Sequence, residues 1–335
     1  MPDASLPPLR IGILGAANIA PMAMIKPARS VAGAEVTAVA ARDPEKARKF
    51  AARARVPKVH DSYEALLADP DIDAVYNPLP NGLHGVWTVR ALRAGKHVLC
   101  EKPFTANAEE ARAVAQVAAG IDRVLMEAFH WRYHPLADRM VEIVQSGELG
   151  EIRHVEAALC APILNRNDIR YDLRLAGGAT MDMGCYTLHI VRTLAGAEPR
   201  VKSARAAIST PGVDRAMEAE LSFEDGRTGR ILCSLFSWRL ISVYAKVVGS
   251  RGTMRAINPI APQFFHRLRI RTDKGSRSEK FPGATSYGKQ LEAFVRAVRD
   301  GAPILTDTRN AITNMELIDA VYRAAGMQPR QPTPG

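Results

Sequence analysis

"LRIGILGAANIA" (residues 9–20) is the stretch that decides the fold. An apolar strand runs straight into Gly15, and small residues follow where a helix would begin. A strand that lacks polar alternation is covered on both faces, which is the habit of a parallel sheet. Gly15 takes the first place of a G-x-G-x-x-G turn, while Ala17 and Ala20 replace the other two glycines. Alanine still lets the backbone approach a pyrophosphate, so the fingerprint is weakened and not lost. Amides at the start of the following helix would present donors to phosphate. Gly15, Ala17, Asn18 and Ile19 are therefore the candidate phosphate loop.

Outward from that loop the chain alternates. "EVTAVAAR", "DAVYNPLP", "KHVLCEKP" and "RVLMEAF" are apolar strands, and "PEKARKFAARA", "SYEALLADP", "HGVWTVRALRAG" and "NAEEARAVAQVAAG" carry the helical period between them. Their Asp and Asn starts and Gly ends obey the capping rules. This is an α/β Rossmann domain over residues 1–130. From residue 131 to 335 the pattern becomes α+β, with period-two strands such as "AMEAELSFEDGRTGRILCSLFS" and "SVYAKVVGSRGTMRAI". "FEDGR" and "GSRG" read as hairpin turns. The result is an open, mostly antiparallel sheet. Its strands show apolar alternation on both faces, which cannot all meet water, so a homodimer or homotetramer is expected. The tail "MQPRQPTPG" is expected to be loose.

Bulk properties exclude several classes. The formal charge is +10, but neither basic stretch, "EKARKFAARAR" nor "RLRIRTDKGSRSEK", has the aromatic interleaving or helix-turn-helix spacing of a nucleic-acid binder. No run approaches the roughly 18 apolar residues of a membrane span, and the N-terminus has no secretion signal. Cys100, Cys160, Cys185 and Cys233 are widely spaced in apolar settings, which suits reduced, buried thiols in the cytoplasm.

The second strand ends "AVAARD", with Arg42 at its tip and Asp43 one step on. An acid at this place binds ribose hydroxyls of NAD, whereas NADP needs a cation for its 2′-phosphate. A guanidinium matches phosphate bidentately. Arg42 therefore points to NADP, with NAD as the lesser option, and Asp43 reads as a helix cap. "VLCEKPF" (residues 98–104) raises the chemical question. Glu101 and Lys102 arrive together at the end of a core strand, where charge is costly unless it is solvated, paired or in use.

"GKHVLCEKP", "NPLPNGLHGVWTVRALRA", the degenerate glycine loop and "GGATMDMGCY" together resemble the glucose–fructose oxidoreductase and inositol dehydrogenase (Gfo/Idh/MocA) family across nearly the whole chain. "AARD", "LCEKP" and "MEAFHWRYHP" look most like its branch of dimeric dihydrodiol dehydrogenases and NADP-dependent sugar dehydrogenases. The resemblance implies that Lys102 is catalytic, that Glu101 lies in the cofactor pocket and that Pro103 is preceded by a cis peptide. It places Asn77, Pro80 and His84 on the third βα loop, near the cofactor. Asp182 and Tyr186 are four apart on an expected helix and so share a face, and Gly177 and Gly178 would bring the backbone tightly against the cofactor. A free tyrosine titrates near pH ~10, and a nearby lysine cation lowers that. Tyr186 is then the general acid/base, Lys102 its electrostatic partner and Asp182 the orienting group.

Other residues complete the expectation. His130 and His134 are spaced i, i+4, but Pro135 follows and no third ligand is near, so no metal site is expected. Trp131 and Arg132 are assigned to the cofactor or substrate side, and His189 to packing. His130, Arg170 and the polar loop holding Asn165, Arg166, Asn167, Asp168 and Asp172 suit a hydroxyl-rich ligand. Trp238 and Phe236, expected on a strand, would supply an apolar wall. The implied activity is hydride transfer between NADP and a hydroxyl or carbonyl carbon of a sugar, cyclic polyol or trans-dihydrodiol. The alternatives are a glycosidase that uses NAD transiently and a ligand-sensing regulator on the same fold.

Overall fold

A computed structural model describes residues 7–209, 212–283 and 285–334. Residues 1–6 and Gly335, the outer ends of the two expected domains, lie outside them. The chain divides into two compact units.

The first unit takes residues 1–130 and 287–312, with the chain's last two residues. Its six strands are β1 (Leu9–Leu14), β2 (Ala34–Ala40), β3 (Lys58–His60), β4 (Ala74–Asn77), β5 (His97–Cys100) and β6 (Leu125–Glu127). All pair in parallel, in the order β3-β2-β1-β4-β5-β6. Their residues are buried on both faces, β4 without exception, as a sheet covered by helices requires. The order reverses between β1 and β4, so the carboxyl ends of β1, β2, β4 and β5 surround the crevice where such sheets bind ligands. β6 is tied to a later segment: Thr306 donates through its hydroxyl to the Glu127 carbonyl and accepts through its own from the Glu127 amide.

The second unit takes residues 131–286 and 313–333. Its eight strands are β7 (Ile152–Cys160), β8 (Arg200–Ser209), β9 (Val213–Ser222), β10 (Thr228–Ser234), β11 (Ser242–Gly249), β12 (Gly252–Ile257), β13 (Arg267–Thr272) and β14 (Gly275–Glu279). Their order is β14-β13-β12-β11-β7-β10-β9-β8, and only β7 and β10 pair in parallel. The β9–β10 and β11–β12 hairpins turn at the two expected sites. One face of the sheet is apolar, with Val155, Ala157, Ala219, Ile231, Val247, Met254 and Ile270 buried, and the helix Cys185–Ala195 packs on it.

The other face corrects the sequence reading, for it is charged where apolar alternation was expected. Arg230 pairs with Glu218, the Tyr244 hydroxyl donates to Glu156, and Arg255 lies 4.9 Å over the Tyr244 ring. Arg267, Arg269 and Arg271 stand exposed along β13. Only a small patch around Ala158, Cys160 and Leu232 is apolar there. Apolar surface thus gives no reason for this face to seek a partner.

The tail is the second correction. Arg330 is 3% exposed and its guanidinium donates to Asp214 Oδ1 at 2.6 Å and to the Gly177 carbonyl at 2.8 Å. Thr333 donates to the Arg174 carbonyl. A proline-rich, polar ending looks unanchored in sequence because a single buried arginine is what ties it down. All four cysteines are buried and free.

Candidate active site

In the first unit, Gly15 follows β1 with φ +96°, a conformation L side chains avoid. Its amide donates to the Ala40 carbonyl at the end of β2, and a Cβ would meet Leu79 at 3.0 Å. The turn is therefore a close approach of three strand ends that only glycine fills. The helical segment after it opens at Ala20 with π-type bonding over Pro21–Ile25. Ala17, Asn18 and Ile19 lie between, with Asn18 exposed. Small residues and a positive φ give this loop room for a pyrophosphate.

At the end of β2 the two candidates separate cleanly. Asp43 caps the helix Pro44–Ala54, accepting from the Glu45 and Lys46 amides at 2.9 and 3.1 Å. These bonds hold its carboxyl below the usual range. Arg42 is exposed and, among the described residues, in no ion pair. A free guanidinium beside an occupied carboxylate is the arrangement suited to a 2′-phosphate. Tyr63 joins it. Its phenol lies against the Arg42 amide, and its ring sits edge-on to Trp87 at 4.7 Å. Sequence reading missed Tyr63, which carries no motif; only the pairing of β2 with β3 brings it there.

The ends of β4 and β5 hold the EKP residues. Glu101 is 8% exposed and accepts from the Tyr76 hydroxyl at 2.6 Å and from the Lys102 amide at 3.3 Å. The Lys102–Pro103 peptide is cis, as expected. Lys102 is half-buried. Asn77 is fully buried, with its amide nitrogen on the His84 carbonyl and Thr88 hydroxyl. His84 is also buried, its ring nitrogens 2.7 Å from the carbonyls of Pro103 and Leu79. Burial pushes its pKa down to about 4, against those two contacts. Asn77 and His84 therefore brace the loops around them, where a cofactor contact was expected. Pro80 is partly exposed at the head of the short turn Asn81–Leu83. His130 is buried and stacks on Tyr287 at 4.0 Å. Burial and the Glu101 charge raise the Tyr287 phenol above its ordinary range.

In the second unit, Asp182 lies in a π-helical turn, Thr180–Gly184, and Tyr186 in the α-helix that continues it. Tyr186 is 6% exposed. Arg170 donates to Asp182 Oδ2 at 2.7 Å and is held from behind by Asp168 at 3.0 Å. This chain of charges keeps Asp182 ionised and fixed. The turn before the helix has a different purpose from the one expected. A Cβ on Gly178 would strike the Asp214 carboxylate, the Tyr322 hydroxyl and the Arg330 guanidinium, and one on Gly177 the Arg170 carbonyl. Both glycines make room for a buried network. Asp214 accepts from the Thr180 amide and hydroxyl, from Tyr322 and from Arg330. Burial raises the Asp214 carboxyl, and these donors oppose it.

Three further expectations change. Trp131 is wholly buried, edge-on to His189 at 5.4 Å, and is core. Arg132 pairs with Asp138 at 2.8 Å, in the helix Pro135–Gln145. Trp238 and Phe236 lie in the loop after β10, and Trp238 is 84% exposed under Arg239, so it builds no wall. Among the described residues no three metal-ligating side chains converge.

Comparison with known proteins follows this division. A family model described as an oxidoreductase family with an NAD-binding Rossmann fold (GFO/IDH/MocA) matches residues 9–129, and the model of the GFO/IDH/MocA C-terminal domain matches residues 138–255. The D-xylose 1-dehydrogenase (NADP(+)) 2 of Haloferax volcanii is 38% identical, over 95% of this chain and 97% of that protein. A dTDP-3,4-didehydro-2,6-dideoxy-alpha-D-glucose 3-reductase of Streptomyces violaceoruber is 36% identical over 95% of each. The crystal structure of KijD10, a 3-ketoreductase from Actinomadura kijaniata in complex with NADP and TDP-benzene, superposes with a TM-score of 0.88 at 30% identity, covering 95% of this chain and 98% of that one.

Proposed function

The chain belongs to the GFO/IDH/MocA oxidoreductase family as an NAD(P)-dependent enzyme acting on CH–OH groups, and we propose that it is an NADP-dependent sugar dehydrogenase or reductase. The observation that carries this reading is the pair of relatives named for D-xylose and a deoxyglucose, each matched along 95% of the chain. A cyclic polyol fits the same polar loop. A trans-dihydrodiol is less well served, because Trp238 offers its ring no wall.

Gly15, Ala17, Asn18 and Ile19 would hold the pyrophosphate, Arg42 the 2′-phosphate, and Pro80 and Glu101 the loops beside the nicotinamide. When bound, the nicotinamide gives or accepts the hydride. The chain's own residues manage the proton. The Tyr186 hydroxyl gives a proton to, or takes one from, the substrate oxygen. The Lys102 ammonium stabilises negative charge on that oxygen and on the phenolate. Asp182, clamped by Arg170, orients the substrate hydroxyls, with His130 as a further substrate contact. Acid/base help of this kind is worth about 10²–10⁴ in rate. A cytoplasmic homodimer or homotetramer is part of the proposal; no helix among the described residues is long and apolar enough to cross a membrane.

Incubation of the pure protein with NADP⁺ or NAD⁺ and a panel of aldoses, polyols and a trans-dihydrodiol tests the reading. A sustained rise in reduced-nicotinamide absorbance with an aldose and NADP⁺ is the expected result. Turnover without net absorbance change would indicate the transient-redox glycosidase, and binding without turnover a sensor. Arg42→Asp should lower the NADP⁺/NAD⁺ preference about 10–100-fold, the worth of a charge-assisted contact. An unchanged ratio would contradict the assignment of Arg42.

A further inference from the structure

The second unit holds a cavity of about 480 Å³ lined by Arg166, Tyr171, Ile208, Ser209 and Arg215, a volume within the range of small-molecule sites. Two of its five residues are arginines, and among the described residues neither is in an ion pair. The nearby Asp168 is already engaged by Arg170. Both guanidinium groups are held in place without being neutralised. Arg166 lies 5.4 Å over the Tyr171 ring and 5.9 Å over that of Phe236, and Arg215 donates one N–H to the Phe236 carbonyl at 2.9 Å. Each guanidinium has five donors, so most remain available. Tyr171 is buried, and its hydroxyl donates to the Ile163 carbonyl at 2.9 Å, which fixes the floor of the cavity.

Two fixed cations facing one cavity repel each other, and an anion between them relieves the repulsion while taking up their free donors. The cavity is also joined to the catalytic residues of the same unit. Arg170 bonds Asp182 at 2.7 Å, and the next residue in the chain, Tyr171, lines the cavity. We propose that this cavity binds an oxyanion, a phosphoryl or carboxylate group carried by the substrate, so that the preferred substrate is an anionic sugar. The proposal rests on the reading of Asp182 and Tyr186 as the substrate site.

The test has two arms. Inorganic phosphate is titrated calorimetrically into the wild type, Arg166→Ala, Arg166→Ala/Arg215→Ala and Lys202→Ala, the last an exposed cation on β8 away from the cavity. In parallel, kcat/KM with NADP⁺ is measured for an aldopentose, its 5-phosphate and the corresponding uronic acid. Phosphate affinity should fall at least tenfold in the double variant and hold in Lys202→Ala. The preference for a charged over a neutral sugar should fall by a similar factor, and the sugar that loses more tells phosphoryl from carboxylate. Arg166 is exposed, so Arg166→Ala alone should fold and show a smaller loss of the same kind. Equal phosphate binding in wild type and double variant overturns the proposal. So does arginine-dependent phosphate binding with no preference for a charged sugar, which would make the cavity a site for a free anion. Arginine-dependent binding with no oxidation of any sugar upholds the cavity and removes the oxidoreductase reading instead.

Discussion

The ends of β4 and β5 and the helix start that leads to Tyr186 are held by opposite means. Around Lys102, neutral side chains meet backbone or one carboxylate over short stretches of chain: Tyr76 to Glu101, Asn77 to Thr88, His84 to Pro103. Around Thr180, a fully buried carboxylate, Asp214, gathers an arginine, a tyrosine and a threonine from segments far apart in sequence. Neutral bonds to backbone are each worth about 1 kcal/mol net and fail singly. A buried ion pair fails as a unit, because losing one partner leaves the other charged in an apolar setting. The first arrangement tolerates adjustment of a loop; the second fixes one geometry for the turn that carries Asp182.

The sharpest way to break this comparison is Arg330→Ala. It leaves Asp214 without its cation, so a loss of about 3–5 kcal/mol in unfolding free energy is expected. Removing residues 327–335 should do the same, which an unanchored tail would not. Denaturant unfolding measures both. Tyr76→Phe should cost less, about 1.5–3 kcal/mol for a bond to a charged group. If the two losses are equal, the contrast between the regions is wrong.

Glu110 supplies a smaller effect that depends on pH. Its carboxylate accepts from the Ala106 amide at 2.8 Å, against Gly85, and burial raises its pKa to about 7. An unfolded glutamate titrates near about 4.3. Between those values the native state holds the extra proton, so this group lowers stability as pH rises through the window and adds no further change above about 7. Glu110→Gln should therefore match the wild type at pH ~4.5 and exceed it at pH ~8 by on the order of 1 kcal/mol. Thermal unfolding at the two pH values decides it; an equal difference at both would remove the titration.

The same contrast explains what could be read from sequence. The Rossmann order, the glycine turn, Arg42, the EKP stretch and its cis peptide follow from local patterns, because a strand end and the loop after it are contiguous. Asp182 and Tyr186 were legible for the same reason. Their support was not: Asp214, Tyr322 and Arg330 carry no motif, and only the tertiary fold makes Gly178 a site where a side chain would collide with all three. Asn77 and His84 lay close to the expected cofactor loop in sequence, yet burial turns them inward. Trp131 and Trp238 exchanged places for the same reason, since periodicity does not distinguish a core tryptophan from a solvent-exposed one on a loop.

The account stands or falls on the claim that Tyr186 and Lys102 serve one proton transfer. Single-turnover hydride transfer from an aldose to NADP⁺, measured across pH for wild type, Tyr186→Phe, Lys102→Met and the double variant, tests it directly. Each single variant should lose about 10²-fold or more in rate with NADP⁺ binding nearly intact, and the double variant should lose little beyond that. The rise of rate with pH in the wild type should be absent from Tyr186→Phe. Near-normal turnover in Tyr186→Phe, or losses that multiply in the double variant, would contradict it.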